Sequence, residues 1–145
     1  MTNEKDDELL EDGTGDILSS MEDVLATADT EYRTFKAWGG KPARIGSLTA
    51  GQMITFLENN DDQTKKRRNG MMLIALSLVD KTGKRLVDAN NAESVNKTIE
   101  SLKTKDSNAN GKVVERILTL NGLNAKDAKE IAKNVSGEAQ NGASQ

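Results

Sequence analysis

Residues 64–79 read TKKRRNGMMLIALSLV, and this stretch decides the fold. It opens with four cations, Lys65, Lys66, Arg67 and Arg68, and continues into an apolar run from Met71. The run, Met71 to Val79, is interrupted only by Ser77, and a helix over about 64–79 is expected. Its later half is apolar on nearly all sides. Such a helix sits at the centre of a core or is partly covered by a partner. The run is also far too short to span a bilayer.

The flanks support a helical domain. Downstream of Leu48, Thr49 and Gln52 have the spacing of a capping box, and Met53, Ile54 and Leu57 form an apolar stripe. Residues 59–62 (NNDD) stop that helix. Beyond the central helix, residues 80–83 (DKTG) make a turn and 84–87 a short extended piece. Asn91 caps a helix over 92–104 with Val95, Ile99 and Leu102 on one face. Residues 106–111 (DSNANG) read as a loop. A helix over 112–120 follows, grouping Val113, Ile117 and Leu120 beside Val114 and Leu118. Gly122 suits its left-handed end. Asn124 and Asp127 open a last helix carrying Ala128, Ile131 and Ala132.

Upstream, residues 32–46 are rich in β-formers around Gly39 and Gly40, which predicts a short β-hairpin, or two extended segments around a turn, with Pro42 at an edge. Ile17, Met21, Leu25 and Ala28 recur at helical steps, with Ser19 and Glu22 as the expected capping pair. This short helix over 17–28 lies outside the main pattern, as an arm free to dock on something. Residues 1–15 are acidic and are expected to be disordered; residues 135–145 read as a flexible tail. The expected organisation is a mainly α chain: an arm over 1–30, a helical domain of four to five helices with a hairpin over 31–134, and the tail. The expected core groups Leu73, Leu76, Ile99, Leu102, Ile117 and Leu120.

Composition narrows the function. Cysteine and histidine are both absent among 145 residues. That removes thiol chemistry, the commonest general base and the commonest metal ligand, so no catalytic site and no cofactor are expected. The net charge of -3, with both signs scattered, is not that of a nucleic-acid binder. No apolar leader is present, so a cytoplasmic location is expected. Asp106, Asn108 and Asn110 match the first half of a calcium loop, but its twelfth position is Ile117, which cannot supply the required carboxylate; no metal is expected there. Lys65, Lys66, Arg67 and Arg68 oppose the dipole of their own helix, a cost that contact with an acidic partner would relieve. Met71 and Met72 are adaptable apolar side chains. These six residues are the candidate partner-binding site. The plain alternative makes the methionines core and the cations a solvated first turn.

The order of segments adds a resemblance. Residues 38–51 (WGGKPARIGSLTAG), 73–86 (LIALSLVDKTGKRL), 114–123 (VERILTLNGL) and 132–134 (AKN) are, in that order, similar to segments of phage tail assembly chaperones. The N-terminal helix has no counterpart there, and residues 88–91 (DANN) stand where acids are usual. The resemblance implies a protein that binds a tape measure protein in the host cytoplasm, keeps it soluble and recruits tail tube protein around it. It also implies absence from the finished virion; self-association is allowed, and neither membrane nor nucleic acid is a partner. The alternative is a cytoplasmic helical adaptor unrelated to phage.

Overall fold

The computed structural model describes Gly15 and residues 17–136. The acidic stretch over 1–14 and the tail beyond 136 lie outside them. The described residues form six α-helices and one three-stranded antiparallel sheet, a mainly helical fold.

The first helix, α1 (Met21–Ala26), is capped one residue later than the spacing suggested. Ser20 accepts from the Asp23 N–H, while the Ser19 N–H donates to the Asp23 carboxylate. None of its residues is buried.

The hairpin forms as expected. Strand β1 (Tyr32–Lys36) pairs with β2 (Pro42–Gly46), joined through a 3₁₀ turn at Trp38–Gly40. A third strand, β3 (Leu78–Val79), pairs with Ile45 and Arg44, so β2 is central. Pro42 therefore does not lie on an edge strand. It starts the central one, beyond the reach of β3, where its missing N–H breaks no ladder bond.

The central helix α3 (Lys66–Ser77) is shorter at both ends than residues 64–79. Leu78 and Val79 leave it because their backbone pairs with β2 instead. Arg85 fixes this junction. Its guanidinium donates to the carbonyls of Leu76 and Ser77 at the end of α3, and also to those of Gly46, which ends β2, and Ser47 beyond it. A cation on the last carbonyls of a helix is favourably placed. Between β3 and Arg85, Gly83 has φ +90, as its tight turn requires.

Helix α2 (Ala50–Asn60) has the expected capping box at Thr49 and Gln52. Its apolar stripe is displaced: Phe56 is buried and Met53 packs against the core, whereas Ile54 and Leu57 face solvent. Helix α4 (Ala92–Leu102) is capped by Asn91, and Val95, Ile99 and Leu102 are buried. Helix α5 spans Ser107–Leu120, so residues 107–111 are helix and not loop. The turn-forming Asn and Gly side of that segment loses to packing. Asn110 is buried and fully bonded, and Gly111 lets α6 (Ala125–Ser136) come so close that a Cβ would meet Ser136 at 2.9 Å.

Helix α5 ends in a Schellman motif. The Leu123 N–H reaches the Leu118 carbonyl and the Gly122 N–H reaches that of Thr119, with Gly122 at φ +98. Asn124 and Asp127 then cap α6 reciprocally. The last helix continues through Ser136 with Val135 buried, so the expected tail does not begin at 135. The core packs α2, α4, α5 and α6 around α3. Leu73, Ile99, Leu102, Ile117 and Leu120 are in it as expected; Leu76 is only half-buried, and Ile74 and Ala75 are the fully buried residues beside it.

Candidate functional site

Three turns of α3 place Arg68, Met72 and Leu76 at successive four-residue steps, hence on one face. That face is only partly covered by the domain. It forms one wall of a groove of about 470 Å³, closed on one side by α2 and on the other by the segment entering α4. Phe56, Leu73 and Val95 make the floor and are buried, whereas Met72 and Leu76 are half-buried and reach the opening. Gln52, Thr55 and Asn90 supply a polar rim. The lining combines an apolar floor with a few polar groups at the rim.

Local structure explains why the groove stays open. Asn69, one residue after Arg68, points inward and donates to the Phe56 carbonyl at 2.8 Å, tying α2 to α3 beneath the floor. Leu48 at the groove end is held by Asn121, whose Oδ1 accepts its N–H at 2.8 Å. The walls are thus fixed by hydrogen bonds behind them, not by side chains filling the space between.

The six sequence-derived candidates divide. Met72 and Arg68 line the groove. Met71 does not: it is buried, packed in the core with its sulfur 3.5 Å from the Asn110 side-chain amide. A helix turns about 100° per residue, so adjacent methionines face different neighbours. Arg68 hydrogen-bonds Asn96 across the groove end and has no carboxylate partner among the described residues. Lys65, Lys66 and Arg67 lie on the turn before it, outside the groove lining. Lys65 forms an ion pair with Asp62 at 3.9 Å. The Thr64 hydroxyl and N–H, both donating to Asp62, hold that carboxyl below its ordinary range, with Lys65 adding to the effect. Asp62 therefore remains an anion at the start of α3, which offsets part of the dipole cost of the cations.

Leu48, Gln52, Phe56, Leu76 and Val95 line the groove, and sequence reasoning assigned none of them to a binding site. The four-residue spacing of Arg68, Met72 and Leu76 was the available signal on α3; nothing local marks the others. Asp106 is a helix cap, accepting the Ala109 N–H at 2.9 Å, and Asn110 faces the core, so this segment is not a calcium loop.

Among the described residues, no helix is long and apolar enough to cross a membrane. No protein-family model, curated protein or solved structure matches this chain.

Proposed function

We propose that the chain is a tail assembly chaperone that holds an apolar helical segment of a tape measure protein in the groove between α2, α3 and the start of α4. The observation that carries this reading is the partly uncovered face of Arg68, Met72 and Leu76 along the groove. A protein whose own helices had covered that face would have no such site. Methionine at its centre favours adaptable apolar contacts. Arg68 at one end, with Lys65, Lys66 and Arg67 on the next turn, favours a partner helix carrying acids beside its apolar stripe. A holdase of this kind works by binding alone, in the host cytoplasm, and recruits tail tube protein to the held segment. The order of segments resembling tail assembly chaperones supports the choice of partner.

Copurification of coexpressed tape measure protein tests the reading. Met72→Asp is expected to abolish it while circular dichroism keeps the helical signal. Met71→Asp is expected to unfold the domain, because that side chain is core. Equal recovery of soluble tape measure protein with and without the chain would overturn the assignment.

A further inference from the structure

The groove is not the molecule's one unsatisfied apolar surface. Helix α1 and the residues before it leave Ile17, Leu18, Met21, Val24 and Leu25 exposed, at 75, 56, 67, 43 and 78 %. Met21, Val24 and Leu25 are spaced i, i+3 and i+4, the pattern of a helix that lays one face into a groove. The same arm and its linker carry Glu22, Asp23, Asp29 and Glu31 and no base, whereas Arg68 lines the groove end and Lys65, Lys66 and Arg67 lie on the turn before it, outside the lining. The two are apolar and opposite in charge.

The tether brings the two together. Glu31 and Ser47 are locked to each other: the Ser47 N–H donates to the Glu31 carbonyl at 2.8 Å, and the Glu31 N–H to the Ser47 hydroxyl at 2.9 Å. The next residue, Leu48, lines the groove. Only four residues, 27–30, separate this anchor from α1, roughly 13 Å when extended. The helix itself is roughly 9 Å long. A ligand on so short a leash has an effective concentration in the millimolar range.

We propose that the arm is the groove's own ligand: α1 folds back on its linker and seats Met21, Val24 and Leu25 against Met72 and Leu76 of the same molecule. In the structure the arm's apolar side chains are exposed. In the closed state the groove is covered, and a partner helix enters only by displacing the arm. This rests on the groove reading above for what the arm competes with. The contact itself needs no partner, so its test stands apart from the copurification.

The chain has no cysteine, which makes disulfide trapping clean. The full chain carrying Leu25→Cys with Met72→Cys is oxidised with glutathione disulfide and the products are separated without reductant. The expected result is a crosslinked monomer. It should form at least tenfold faster than with Leu25→Cys and Lys112→Cys, the latter lining a separate cleft between α5 and α6. Adding Met21→Asp should return the rate to that of the control pair, and Glu22→Lys with Asp23→Lys should slow it. Thr55→Cys, on the exposed groove wall, replaces Met72→Cys if that variant loses helicity. Rates equal to the control overturn the proposal. So does a disulfide-linked dimer whose rate climbs with protein concentration, which would seat the arm in a second copy.

Discussion

The Trp38 indole N–H donates to the Asn110 side-chain oxygen at 2.8 Å, joining the hairpin turn to the first turns of α5. The amide nitrogen of Asn110 also reaches the Leu102 carbonyl at 2.9 Å, so one buried side chain binds three segments. Asn110→Ala leaves the indole and that carbonyl unpaired. A loss of about 1–3 kcal/mol is expected. Urea denaturation measures it, and the emission of Trp38, the single tryptophan, should shift to the red in the folded variant.

Gly70 marks where α6 crosses α3. A Cβ there would collide with Val135. Overpacking of this kind costs about 1–3 kcal/mol, against about 1 kcal/mol gained by replacing glycine with alanine in a helix. Gly70→Ala should therefore be neutral to destabilising alone, and less harmful in the background of Val135→Ala. A double-mutant cycle checks this: additive effects would place Val135 away from the crossing.

Leu73 and Leu76 lie on adjacent turns of α3 but differ in burial. Leu73→Ala should cost about 2–5 kcal/mol, the range for a filled core site. Leu76→Ala should cost distinctly less, because part of its surface is already in the groove and exposed to water. Thermal melts of the pair give the comparison.

Asp106 caps α5 through the Ala109 N–H. Asp106→Ala should cost about 0.5–2 kcal/mol. Calcium added to the unmodified chain should leave its melting temperature unchanged; a calcium-dependent rise that Asp106→Ala removes would contradict the capping role.

The Asp80 carboxylate accepts the Thr82 hydroxyl, the Lys84 N–H and the Thr82 N–H. The Thr82 hydroxyl leads in holding its carboxyl below the ordinary value of 3.8. A depressed value in the folded state means the stabilisation is complete above 3.8 and is lost as pH falls through the lower folded value. The unmodified chain should therefore lose stability more steeply below that pH than Asp80→Ala does. Urea midpoints across the acid range measure the difference in slope.

Local chemistry in the sequence determined where helices form and several of their ends. The caps at Thr49, Asn91 and Asn124 and the stop at Gly122 each involve residues within a few positions of one another, so their spacing carries the information. The hairpin was legible for the same reason. What lay beyond local reach was decided by tertiary structure. Residues 78–79 could continue a helix or pair as a strand, and the presence of β2 settled it. Residues 107–111 carry turn-forming side chains, yet became helix because Trp38, Leu102 and α6 satisfy and cover them. Above all, the later half of α3 is apolar on nearly every side, so its periodicity selects no face. Which methionine is core and which lines the groove depended on where Asn110, Val95 and Phe56 arrive from distant parts of the chain. A helix with a narrow apolar stripe announces its buried side; a central helix receives its one open face from the neighbours that fail to cover it.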